Sequence, residues 1–221
     1  MGRIDIFYEL SKLSQYQACP RIGHLEEAYH IFAYMKSRPD MGRLAYDSAT
    51  PKIDESAFNL TADWREFYGD VEEELASNKP EPGGNVVKMF AFVDANHAGN
   101  VATQRSHTGI LIFVQNSLIT WYSKRQNTVE AAIFGSEFVT LRICKELILA
   151  LRYKLRMFGI PIDGPVDIFC DNRGVVKNTS ILESVLMKKH NSINYHAVRE
   201  AAASNIIRVE KEDSNKNLQT F

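Results

Sequence analysis

The chain has 221 residues, 45% of them hydrophobic and 24% charged, enough for one well-cored domain and a smaller attached piece. A formal net charge of −1 hides an asymmetry, −6 over residues 1–85 and +5 over residues 86–221, so the C-terminal part is compatible with a polyanion partner. Cys19, Cys144 and Cys170 are too scattered for a disulfide framework or a cysteine-based zinc site and fit a reducing compartment.

Residues 1–37 read as helical. Ile4, Tyr8, Leu10 and Leu13 are the apolar positions before a break at Cys19-Pro20. In HLEEAYHIFAYMKS that follows, Leu25, Tyr29, Ile31 or Phe32, and Met35 make one face. Two helices with so little apolar surface are not expected to fold alone. Residues 38–85, rich in Pro, Gly, Ser and acid, read as a connector, with Trp64, Phe67 and Tyr68 expected to pin it to something.

From Val86 to Phe221 the texture is that of one α/β domain. KMFAFVD reads as a strand, and TGILIFVQNSLITWYS as two more with Gln115-Asn116-Ser117 at the turn. A long helix is expected from about Thr128 to Phe158, closed by Gly159 and Pro161. VDIFCD is a further strand with a short helix after it, KKHNSINYHAVREAAAS a second substantial helix and IIRVEK a final strand. This order implies a mixed sheet with helices packed on it. The most apolar stretch, ELILALRYKLRMFGI, is broken by Arg152, Lys154 and Arg156, and the start lacks a signal-peptide pattern. No membrane partner is expected, and an intracellular location, cytoplasmic or nuclear, is.

Two strands end on an acid. KMFAFVDANHAG climbs to Asp94 and breaks into small and polar residues, and VDIFCDN ends on Asp171, followed by Asn172. Such an Asp can serve only the turn that follows it. In an α/β sheet, however, the C-terminal ends of neighbouring parallel strands open onto one crevice. If these two strands are adjacent, the carboxylates sit side by side, and like charges so close need a cation or a raised pKa. A third acid lies on the long helix, where Ile133, Glu137, Leu141, Cys144, Ile148, Leu151, Leu155 and Phe158 form a stripe expected to face the core. A carboxylate in that stripe is costly unless compensated; pairing with Arg142 or Lys145 is the alternative reading. Oxygen ligands without clustered His or Cys suit Mg²⁺ or Mn²⁺. The chemistry that uses such a cluster is hydrolysis or transfer at a phosphodiester, with two ions about 4 Å apart. His97, His107 and His196 fit no ligand spacing and are expected to be structural or surface residues.

FVDANHAG, SHTGILIF, ITWYSKRQNTV, GSEFVTL, IFCDN and KKHNSINYHAVRE occur in this order. Residues 86–221 thereby resemble the ribonuclease H region of copia-type LTR-retrotransposon polyproteins. Residues 1–45, through LSQYQACPRIGHLEEAYHIFAYMK, more loosely resemble the end of the reverse transcriptase upstream of it. The resemblance implies a ribonuclease H-like fold, a mixed five-stranded sheet with flanking helices. It implies cleavage of the RNA strand of an RNA/DNA hybrid with two Mg²⁺ ions, with the reverse transcriptase region of the parent polyprotein as partner. The family's first three acids fall on Asp94, Glu137 and Asp171. Its fourth lies in an Ala-Asp block after the last strand, where this chain has Gln219 and Thr220 in NKNLQTF. The fourth acid is therefore expected to be missing at Thr220, the C-terminal helix to be truncated, and one ion to be held more weakly than the other. Glu212 and Asp213 are near in sequence but expected on the wrong side of the loop. The reverse transcriptase acids lie upstream of the matching segment, so no polymerase activity is expected.

Lys124 and Arg125 in SKRQN, with Asn127, are expected to meet phosphates of the hybrid. Asn172, Lys188 and Lys189 are the other expected contacts. The alternative for each basic group is a solvated turn. Two functions remain: a hybrid ribonuclease, complete or weakened, and a non-catalytic nucleic-acid-binding relic of the polyprotein. A phosphotransfer receiver domain also places acids at strand ends but leaves Glu137 unexplained.

Overall fold

Met89–Asn96 (β1) is the centre of a five-stranded sheet whose order from edge to edge is Ser117–Arg125 (β3), His107–Val114 (β2), β1, Val166–Cys170 (β4) and Ile207–Lys211 (β5). The computed structural model that shows this describes residues 3–42, 46–58, 62–100, 102–184, 186 and 192–212. His107–Val114 (β2) and Ser117–Arg125 (β3) form an antiparallel hairpin against β1. Val166–Cys170 (β4) runs parallel to β1, and Ile207–Lys211 (β5) parallel to β4. The sheet is mixed, as the order of elements implies. At the hairpin turn Gln115 adopts φ 53°, the left-handed conformation that matches the twist of two paired strands. A bulge beside Ile112 and Phe113 leaves Ile119 out of register and exposed.

Alternation along the strands divides the core in two. Met89, Ala91 and Val93 of β1, with Val166, Ile168 and Cys170 of β4, face the long helix Ile133–Met157 (α4). They pack with Phe138, Leu141, Cys144 and Ile148 of α4, all fully buried. Each large apolar side chain so enclosed stabilises the fold by about 1.5–3 kcal/mol relative to exposure. Arg173–Ser180 (α5) and Ser192–Ala203 (α6) complete this layer through Val175 and Val198. Phe90, Phe113 and Leu118 lie on the opposite face, where Ile4, Ile53 and Phe169 pack against them.

The helix α4 begins later than the spacing of apolar residues predicts. Gln126 Nε2 donates to Thr108 Oγ1, the Ser136 carbonyl and Thr140 Oγ1, and Ala132 is extended. These bonds tie the entry segment to β2 and to the first turns of α4. The ends of the expected stripe also differ: Ile133 and Phe158 are exposed, one the first residue of α4 and the other its C-cap. Gly159 closes the helix at φ 71°. A Cβ there would meet the Glu81 carbonyl at 3.2 Å, and Gly83 donates its amide N–H to the Gly159 carbonyl at 2.7 Å.

The connector is laid along the domain. Trp64 stacks under the Arg199 guanidinium at 4.7 Å, and the Tyr68 hydroxyl meets His196 Nδ1 at 2.9 Å. Phe67, by contrast, is exposed, so two of the three expected pins hold. Glu73 bridges Arg152 and Arg156, and Glu55 bridges Lys88 and Arg208. Of the N-terminal helices, Phe7–Ser14 (α1) lies against β3, with Ser11 Oγ donating to the Ser123 carbonyl at 2.8 Å. Leu25, Tyr29 and Phe32 of Ile22–Ser37 (α2) are exposed, so the face expected there points outward. The four-residue helix Arg65–Tyr68 (α3) sits within the connector. No helix among the described residues is long and apolar enough to cross a membrane.

Candidate active site

Parallel pairing sets three acids in one row. Val93 is the register partner of Cys170, and Cys170 of Lys211. The next residue on each segment is Asp94, Asp171 and Glu212. The Glu212 amide N–H donates to the Cys170 carbonyl at 3.0 Å, so the ladder continues one residue past β5. Alternation puts all three on the face away from α4, since Val93, Cys170 and Val209 belong to the core on the α4 side. The three line one cavity of about 430 Å³. Glu212 is thus beside Asp171, not across the loop from it, and the sequence expectation for it is corrected: β5 pairing carries the chain straight over the strand tips. The strand β1 likewise runs two residues beyond Asp94, because Ala95 and Asn96 still pair with Thr108 and His107.

Glu137 approaches from the other side of the sheet. It is 2% exposed. Its Oε1 accepts the Ala95 amide N–H at 3.3 Å, while Oε2 is buried with no hydrogen-bond partner among the described residues. Burial, then the charges of Asp94 and Asp171, push its carboxyl up to about 8, against the pull of the Ala95 amide. Neither alternative partner is engaged. Arg142 pairs with Glu146 one turn on, and Lys145 lines a hollow under the connector. Asp94 keeps an open surface, yet its carboxyl is raised by loss of solvation and by Asp171. Burial and Asp171 also push Glu212 up to about 7, and its Oε1 is buried without a partner among the described residues.

One grouping was not foreseen. Ligand atoms of Glu137, Cys170 and Asp171 lie within 4.8 Å of one another, and Asp94 is not part of this group. Cys170 faces α4 because it alternates with Asp171 along β4. Burial above all pushes its thiol up to about 12, so it keeps its proton at neutral pH and offers little to a hard cation. The carboxylates do fit Mg²⁺ or Mn²⁺: they are like charges crowded together, with two buried oxygens that have no donor among the described residues.

Lys124, Arg125 and Asn127 line a second groove, of about 300 Å³, on the α4 side of the hairpin. Thr108 borders both this groove and the acid cavity. Asn172 caps α5, its Oδ1 accepting the amides of Gly174 at 2.9 Å and Val175 at 3.3 Å. Lys188, Lys189, Asp213 and Thr220 lie outside the described residues. His97, His107 and His196 each meet a hydroxyl, of Ser136, Ser123 and Tyr68 respectively. Tyr8 was missed by the sequence: α1 brings its hydroxyl to Asn96 Nδ2, which donates at 3.0 Å, and its ring edge-on to His107. Phe7 and Tyr8 thereby form a wall of the acid cavity. No local pattern signals that approach, whereas the alternation of IIRVEKE puts Glu212 on the face of Arg208 and Glu210, a signal the expectation for it set aside.

No family model matches the chain. It is 23% identical over 207 residues to the retrovirus-related Pol polyprotein from transposon RE2 of Arabidopsis thaliana, covering 94% of this chain and 12% of that polyprotein. It is 24% identical over 135 residues to the one from transposon TNT 1-94 of Nicotiana tabacum, covering 61% of this chain and 10% of that one. The chain therefore spans a small fraction of the length of the curated relatives it matches. Among solved structures, LC11-RNase H1 in complex with RNA/DNA hybrid aligns with TM-score 0.47 and 14% identity, over 60% of this chain and 90% of that one. Prototype foamy virus protease-reverse transcriptase aligns with TM-score 0.40 and 13% identity, over 66% of this chain and 20% of that one. Over 94% of its length the chain is similar to copia-type retrotransposon Pol polyproteins, and its C-terminal part carries a five-stranded mixed sheet with flanking helices.

Proposed function

We propose that this chain is a retrotransposon-derived ribonuclease H that hydrolyses the RNA strand of an RNA/DNA hybrid with Mg²⁺ or Mn²⁺. The observation that carries the reading is the pair Asp94 and Asp171, each one residue beyond a shared register pair and lining one cavity, with a buried Glu137 oxygen that has no donor among the described residues. Asp94, Glu137 and Asp171 would hold the ions. Divalent cations bound there would supply an activated water and a clamp on the leaving oxygen. The chain's own residues do the rest. The Ala95 amide fixes the Glu137 carboxylate. Lys124, Arg125 and Asn127 offer phosphate contacts that position a duplex without reading its sequence. The 2′-hydroxyls and groove shape of the hybrid would provide selectivity. The reverse transcriptase region of a parent polyprotein is the natural partner, and the three free cysteines fit an intracellular setting.

Purified protein, a labelled hybrid and Mg²⁺ test this, alongside Asp94→Asn. Cleavage by the first and not by the second is expected. Equal cleavage by both would make the activity a contaminant, and salt-dependent hybrid binding without turnover in both would make the chain a binding relic.

A further inference from the structure

We infer that Glu212 supplies the fourth carboxylate of this site, from the tip of β5. The inference rests on the ribonuclease reading and adds a residue to it. At the position where the resemblance places a fourth acid, the sequence has Thr220. The geometry offers another. Asp94, Asp171 and Glu212 each follow a residue of one continuous register line, Val93–Cys170–Lys211, on three successive parallel strands. Adjacent strands lie about 4.8 Å apart, so carboxylates on one face at matching positions stand side by side.

Charge crowding alone does not make a site, but two further features point to a ligand. Glu137 is 2% exposed, is directed at the same strand tips through its bond to the Ala95 amide, and has a buried Oε2 with no donor among the described residues. Glu212 repeats the feature, with Oε1 buried and likewise without a donor among them. Its backbone is tethered, since its own amide bonds the Cys170 carbonyl. Glu210, two residues earlier on the same face, has no place in the cavity that Asp94, Asp171 and Glu212 line, which makes it a matched control. A carboxylate at the β5 end of the row would add a ligand next to Asp171, the acid that Glu137 also approaches.

Titration calorimetry with Mn²⁺ on the full chain tests this, comparing the wild type with Glu212→Gln, Glu212→Asp, Glu210→Gln and Asp94→Asn. Thermal melts without metal verify that each variant is folded. The expected result is two bound ions in the wild type, with one weakened roughly tenfold or more in Glu212→Gln. Partial recovery is expected in Glu212→Asp, and no change in Glu210→Gln. The hybrid-cleavage optimum of Glu212→Gln should move to higher Mg²⁺ concentration. Unchanged Mn²⁺ binding in Glu212→Gln, with loss in Asp94→Asn, would overturn the role of Glu212 and leave the ribonuclease reading standing. No Mn²⁺ binding by the wild type would overturn both.

Discussion

Glu137 accepts the backbone amide of Ala95 at 3.3 Å, a bond that crosses from helix α4 to the residue after Asp94. It is one hydrogen bond for a carboxylate with two oxygens, both inside the protein. Desolvation of a charge with so little compensation costs several kcal/mol unless the group takes up a proton or meets a cation. The site is therefore unstable in its charged, ion-free form, and that instability can be measured.

Glu137→Gln should stabilise the metal-free protein at pH 8. The Glu137 carboxyl lies above its ordinary value of 4.5, at about 8, so the folded state retains a proton that the unfolded chain has released. Its stability is fullest below pH 4.5 and is lost as pH rises through about 8. The variant should raise Tm at pH 8 by several degrees, at roughly 2–4 °C per kcal/mol for a chain of this size, and change it little at pH 5. Saturating Mg²⁺ should stabilise the wild type and not the variant, closing the gap. Scanning calorimetry with and without chelator measures both effects.

On the acid side the sign reverses. Burial alone would raise the Glu73 carboxyl, but the hydrogen bonds from Arg152 and Arg156 outweigh it and bring it down to about 2. Its contribution is present above pH 4.5 and is lost as pH falls toward 2. Screening by solvent limits it to about 1–2 kcal/mol. Glu73→Gln should lower Tm at pH 7 by a few degrees, with the difference from wild type vanishing near pH 2. The same substitution leaves the nearly buried Arg152 short of its carboxylate, so proteolysis of the connector should also accelerate.

Lys124→Ala and Arg125→Ala should weaken hybrid binding evenly across sequences. Removing one phosphate-binding cation should reduce the slope of log affinity against log salt by about 1. Lys124 is exposed and Arg125 half-buried at the groove rim, outside the core, so Tm should stay within about 1 °C. Fluorescence anisotropy at several salt concentrations decides it; a slope unchanged in both variants would assign them to a solvated turn.

The strands and helices of the C-terminal part were largely legible, because period-2 runs such as FAFVD and period-3.6 runs along α4 are local properties of the chain. Glu137 stood out for the same reason, being a carboxylate in an apolar stripe. The stripe failed at Ile133 and Phe158, whose periodicity is sound but which stand at the two ends of α4. Gln126 shows the converse: its three side-chain hydrogen bonds delay the helix start, and no local pattern reveals partners that lie on α4 and β2.

The chain's order of residues settles which acids are available and that two of them close an apolar run, since hydrophobic alternation and the break after it are written locally. Whether those strands are neighbours depends on a parallel pairing between segments far apart in the chain, and that is decided only when the core assembles. The same assembly adds Cys170 beneath Asp171, sets Glu212 in the row through β5, and lays Tyr8 against Asn96. Each of these juxtapositions arises from register and packing between distant segments, where the free energy of burying the shared apolar surface chooses the partner.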